Sequence, residues 1–164
     1  MPEEKVIVIN TGPLIALTAA TGSLDILQHL YSRVIVPFEV GAEILAGGQT
    51  GFSVPEFHAA SFLDKQLHPT SIGTFLHNTL DTGEASVIQT ALDLGISTVC
   101  IDEAVGRRIA RLNGLLVTGS LGILIRAKQE GLPVTISTMI DNMQRHGIWL
   151  GKSLAEAAIK LAGE

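Results

Sequence analysis

At 164 residues the chain is long enough for one domain with a sizeable core, and its 46% hydrophobic content supplies the material. A formal net charge of −5 argues against a generally basic nucleic-acid coat, and 4% aromatic content argues against a base-stacking platform. The single cysteine, Cys100, excludes an internal disulfide framework and reads as a small buried apolar residue. An enzyme that grips a phosphate backbone through a metal and a few local arginines stays compatible with this charge. No apolar run approaches the ~20 residues that span a bilayer. No basic segment leads into an apolar one as in a signal peptide, so the expected location is cytoplasmic.

The first element is the apolar run Val6–Ile9, which ends in Asn10 and Thr11 before Gly12 and Pro13. It predicts a strand that delivers a polar side chain to its carboxyl end, where α/β proteins place ligands. A helix follows from near Pro13. Arg33–Val36 predicts a second strand, and Pro37 sits where a helix's first turn would begin. The stretch GGQTGFSVPEF reads as a flexible loop from its Gly, Ser and Pro content. Further strands are expected at Ser61–Leu67, Ser97–Ile101 and Leu115–Val117. Helices are expected near Ile72, Gly83, Asp102 and Leu121, then around Ser137–Gln144 and Ser153–Leu161. Strands separated by helices imply a parallel sheet covered on both faces. With no repeat and no low-complexity segment, one domain over residues 1–164 is expected. The tail from Leu132 to Glu164 could complete the fold or form an interface. The apolar residues Leu14, Ile15 and Leu17, with Leu24, Ile26 and Leu27, read as core, with dimer contacts as the other option.

The candidate chemistry lies in the carboxylates. Asp102 closes the strand STVCID, and Glu103 follows it. An acid there either faces the same cleft as Asn10 or caps the helix through Arg107 and Leu112. Asp81 and Glu84 fit a capping-box spacing, so Glu84 is either an ordinary first-turn acid or a cleft residue. Glu43 shares a helix side with Val40 and Ile44, at the edge of an apolar face, while Glu39 points elsewhere. Glu43 therefore snorkels to solvent or faces the cleft. Acids gathered from distant segments repel one another and raise each other's pKa. A divalent cation relieves that repulsion, and Mg2+ in particular binds through a few carboxylates and substrate phosphates. Arg107, Arg108 and Arg111 follow Asp102 on one helix, and Arg126 and Lys128 lie on the next. They can hold a phosphate backbone, receive a partner's carboxylate, or form a solvated face.

The ordered motifs INTGPLIAL, VPFEVGAEIL, LDTGEASVI, CIDEAVGRRIA and LLVTGSLGIL resemble the PIN domain. Within it the chain looks closest to the VapC-like branch of short prokaryotic proteins. The resemblance runs from about Val6 to the end. It implies a three-layer α/β/α sandwich around a central parallel sheet. It also implies Mg2+- or Mn2+-dependent cleavage of single-stranded RNA, a cognate antitoxin and a homodimer. Carried over by position, the family's four acids fall on Asn10, Glu43, Glu84 and Asp102. Thr11 and Ser120 match polar supporting positions, and Glu103 stands beside the fourth acid.

Asn10 is the departure. Its amide oxygen can bind a cation, but it carries no charge and cannot act as a general base. Two readings follow. Either Asn10 is a neutral ligand in a working ribonuclease, or the chain is a degenerate module that binds RNA or protein without cleaving. The five histidines, His29, His58, His68, His77 and His146, have no metal-ligand spacing and read as surface or structural. There is no G-x-S-x-G elbow, no complete G-x-G-x-x-G and no P-loop, which disfavours hydrolase-elbow and nucleotide-binding readings.

Overall fold

The computed structural model describes residues 5–47 and 51–164. Its centre is a sheet of five parallel strands in the order β3-β2-β1-β4-β5. The strands are β1 (Val6–Ile9), β2 (Arg33–Val36), β3 (Leu63–Lys65), β4 (Thr98–Cys100) and β5 (Leu116–Thr118). In β1, Ile7, Val8 and Ile9 are fully buried on both faces of the sheet, as a continuous apolar run in a parallel sheet requires. Helices cover both faces, giving a three-layer α/β/α sandwich.

The helices are α1 (Thr11–Thr21), α2 (Asp25–Leu30), α3 (Phe38–Leu45), α4 (Val54–Ala59), α5 (Thr74–Thr79), α6 (Thr82–Leu94), α7 (Ala104–Leu112), α8 (Ser120–Gln129), α9 (Ile136–Arg145) and α10 (Lys152–Leu161). Leu14, Leu17, Leu24 and Leu27 all lie in the core rather than on an exposed face. Residues 48–50 of the expected loop lie outside the described residues, and its end is helical, since Val54–Ala59 forms α4. Ser53 enters that helix with φ 73°, a left-handed conformation that composition did not reveal. No helix among the described residues is long and apolar enough to cross a membrane.

Strand order decides where a site can form. From β1 the chain builds one half of the sheet outward through β2 and β3, then returns to build β4 and β5 on the other side. The reversal lies between β1 and β4, and a crevice opens outside the carboxyl ends of strands at such a point. Ile9 is in register with Cys100, and the Asn10 backbone N–H donates to the Cys100 carbonyl at 3.0 Å. Asn10 and Asp102 therefore emerge side by side at the crevice.

The tail completes the fold. Helix α9 packs on α1, and the Asn142 amide donates to the Ala20 carbonyl at 2.9 Å. Glu164 closes the arrangement. Its carboxylate accepts from the backbone N–H groups of Ile136 and Ser137, the Ser137 hydroxyl and the Lys128 ammonium. It thus supplies the first turn of α9 with acceptors that Thr135, at the N-cap, does not provide. These donors hold its carboxyl down at about 2. A depressed acid stabilises the fold above the ordinary carboxylate range and loses that effect as pH falls towards about 2. Glu164→Gln should lower the thermal midpoint at pH 7, and the gap from wild type should close between pH 4.5 and about 2. A gap that persists unchanged in acid would show that the carboxylate charge plays no part.

Candidate active site

Asn10 follows β1 at the N-cap position of α1, with an extended backbone, yet its side chain makes no capping bond. An asparagine there ordinarily accepts from the helix's first N–H groups. Here Oδ1 is buried with no hydrogen-bond partner, a situation that costs about 1–3 kcal/mol unless something else satisfies it. Its surroundings are acidic. A Cβ placed on Gly83 would lie 2.8 Å from Glu43 Oε2, 3.4 Å from Asn10 Oδ1 and 3.6 Å from Asp81 Oδ1. Three side-chain oxygens, from the end of β1, from α3 and from the cap of α6, thus converge on one glycine.

Each oxygen has a local reason for its place. Val40 and Ile44 bury one face of α3 and leave Glu43 at its exposed edge, where Oε2 accepts from the Thr11 hydroxyl at 3.0 Å. Asp81 caps α6 by accepting from the Glu84 N–H at 2.9 Å. Gly83 is the residue that permits this closeness. Gly83→Ala would press its methyl against the Glu43 carboxylate, the mobile end of a flexible side chain. Stability should stay within about 1 kcal/mol of wild type, because alanine favours the helix. Mn2+ binding should weaken, as followed by calorimetry. Unchanged binding would mean that Glu43 is not a ligand.

Glu84 is buried at the centre of these acids, with only 6% of its surface exposed. Its carboxyl is pushed up to about 7, first by burial, then by the charges of Asp81, Glu103 and Glu43 and by a side-chain hydrogen bond to the Asp81 carboxylate. Gly106, at the start of α7, makes room for it: a Cβ there would lie 3.1 Å from Glu84 Oε1. Glu103, at the N-cap of α7, is one of the charges that raise Glu84.

Asp102 has a different engagement. It does not cap α7, whose N-cap is Glu103. Instead Oδ1 accepts from the Ser120 N–H at 2.8 Å and Oδ2 from the Ser120 hydroxyl at 3.0 Å. Asp102 therefore caps α8 from the end of the neighbouring strand, where the preceding Gly119 offers no side chain. A Cβ on Gly119 would lie 2.7 Å from Asp102 Oδ1 and 2.8 Å from Arg107 Nη1, so a glycine is required for all three to meet. Arg107 Nη1 also donates to the Ile101 carbonyl at 2.9 Å, which fixes its guanidinium at the crevice.

The structure thus brings Asn10, Thr11 and Glu43 together near Gly83, with Glu84 buried beside them and raised by Glu103. It holds Asp102, Ser120 and Arg107 together around Gly119. Asp81 joins the first group; its capping-box spacing was visible, but it read as a helix signal alone. Arg108 and Arg111 are exposed further along α7. Arg126 and Lys128 do not approach the crevice. Arg126 lies over the Tyr31 ring and pairs with Glu130 at the amino-terminal end of the sheet, and Lys128 pairs with Glu164. All five histidines are exposed.

Among the described residues, no group of three His, Cys, Asp or Glu side chains is arranged to hold a metal ion. Glu43 and Asp81 spend an oxygen each on Thr11 and on the Glu84 N–H, and the position nearest them carries an amide. The donors nevertheless fit a hard divalent cation in kind. All are oxygens, one is a buried acceptor without a partner, and burial together with the neighbouring carboxylates raises Glu84.

A family model described as a PIN domain, a nuclease-type fold whose members generally use divalent metal ions, matches residues 6–164. No curated protein and no solved structure matches the chain. The match covers every strand and helix above, including the tail through α10, and the chain belongs to the PIN-domain family.

Proposed function

We propose that the protein is a Mg2+- or Mn2+-dependent endonuclease of single-stranded RNA. The observation that carries this reading is the buried, unpartnered Asn10 Oδ1 converging with Glu43 and Asp81 on Gly83. Asn10, Glu43 and Glu84 would hold the cation, with Glu103 facing Glu84 and Asp102 kept in place by Ser120. When bound, such a cation supplies water activation and charge neutralisation at a phosphodiester. The chain's own groups orient the substrate. Thr11 fixes the Glu43 carboxylate, and Arg107 holds a phosphate at the edge of the crevice, with Arg108 and Arg111 along the backbone beyond it. Asn10 presents to such a cation an amide oxygen that otherwise has no partner. A toxin role, with a cognate antitoxin and a homodimer, belongs to the same proposal and rests on the likeness to VapC-like proteins.

One observation favours a second reading. A neutral Asn10 in place of an acid fits a module that binds RNA or a protein partner without cleaving. Cleavage of single-stranded RNA by purified protein with Mn2+, abolished in Glu84→Gln, supports the enzyme. Absence of cleavage in wild type, with cleavage restored by Asn10→Asp, supports the non-catalytic module.

A further inference from the structure

A groove of about 900 Å3 starts at Asp102, Glu103 and Arg107 and runs along α8 towards α10. Its polar end is the part of the crevice lined by Asp102, Arg107 and Ser120. Its far wall is apolar, built by Leu150, Leu154 and the only tryptophan of the chain, Trp149. Trp149 lies between α9 and α10, in the short connection that follows Gly147 at φ 79°. It is 85% exposed, more than any other large apolar residue described. An indole held in solvent on the wall of a groove leaves a flat aromatic surface uncovered.

We infer that Trp149 is a base-stacking residue: it holds a nucleobase of single-stranded RNA that flanks the phosphate at Arg107. The inference rests on the proposed RNA reading and names a subsite for it. Continuity favours RNA over other occupants. A chain whose phosphate sits at Arg107 must leave the crevice, and the groove that begins there leads to the indole. The order of chemistry also matches a nucleotide, with a cation for the phosphate first and an aromatic face for the base next. The chain's low aromatic content excludes a platform of several rings, and one ring suffices for one base. Stacking of this kind accepts any base, so Trp149 adds affinity and register without choosing a sequence.

The test uses the intact protein and a fluorescein-labelled oligouridylate, in EDTA and again in Ca2+ to prevent cleavage. Anisotropy of the label reports binding, and the emission of Trp149, the only indole, reports stacking. The expected result is quenching that saturates together with the anisotropy. Trp149→Ala should weaken binding about tenfold, and Trp149→Phe should retain most of it. Thermal unfolding of both variants checks that they fold, and the phenylalanine variant keeps the test alive if alanine does not. Binding with an unquenched indole and unchanged affinity in Trp149→Ala overturns the stacking role, leaves the RNA reading intact and assigns the groove to a protein segment. A blue shift of the indole as protein concentration rises, without RNA, overturns it in favour of a second copy. No binding in either buffer removes the RNA reading and the subsite with it.

Discussion

Glu84→Gln should make the metal-free protein more stable at pH 8 and leave its stability unchanged at pH 4.5. The folded state holds the Glu84 proton up to about 7, whereas an ordinary glutamate releases it near 4.5. Between those values the folded protein carries more protons than the unfolded one, so stability falls as pH rises and levels off above 7. Full conversion of the shift gives about 3 kcal/mol. The cluster opens onto the crevice through exposed Glu43, Asp81 and Glu103, where solvent screens the repulsion, so about 2 kcal/mol is the expected gain. Glutamine keeps the shape and never ionises. Urea unfolding in EDTA at the two pH values measures the difference. Mn2+ should stabilise wild type at pH 8 and the variant much less. A difference between the proteins that is the same at both pH values would refute the account.

Asn10→Asp should act in the opposite direction without metal and most strongly with it. It places another carboxylate where a Gly83 Cβ would find Glu43 Oε2 and Asp81 Oδ1 within a few ångströms. In EDTA at pH 8 the variant should lose about 1–3 kcal/mol, the range for a buried polar group without a suitable partner. The new charge should also push the Glu84 carboxyl further up. With Mn2+ the order reverses, because a charged oxygen binds a hard cation more tightly than an amide does. An affinity gain of about tenfold or more, about 1.4 kcal/mol, is expected by calorimetry. A variant that is neither destabilised in EDTA nor tighter for Mn2+ would show that residue 10 does not face the acids. Combining it with Glu84→Gln should recover much of the lost stability, since the two substitutions act on one cluster.

Much of this fold could be read directly along the chain. β1 and β2 coincide with their apolar runs because strands buried on both faces need no alternation to reveal them. α6 was announced by Asp81 and Glu84, and that capping bond is present. α2 was not announced, because its N-cap is Leu24 and no side chain caps it. α4 was hidden for a related reason, since it opens from a left-handed serine in a Gly-rich stretch. Within the site, Glu43 was legible as an acid at the edge of an apolar helix face and Glu84 as a first-turn acid of a capped helix, and the family resemblance placed both in the site. That Asp102 binds Ser120 while Glu103 takes the N-cap of α7 was not legible, because adjacent acids share a strand end and differ only in which contact each finds. Ser120 settles that contact from eighteen residues away, a pairing no local pattern encodes.

The position of β1 in the sheet has a consequence for how the protein comes into being. β1 leaves the ribosome well before its neighbour β4, which begins at Thr98. Until β4 emerges, a nascent chain can pair β1 only with β2, and Asn10 has no Cys100 carbonyl to fix it. Glu103, Arg107 and the Ser120 bond to Asp102 arrive later still. The crevice therefore cannot be complete before β4 and α8 have emerged, because it depends on the long-range contacts they make. An N-terminal fragment ending before Thr98 contains Asn10, Glu43 and Glu84 yet has no crevice to place them in. Synthesis of the segment from Thr98 to Ser120 thus separates the presence of these residues from their assembly into a site.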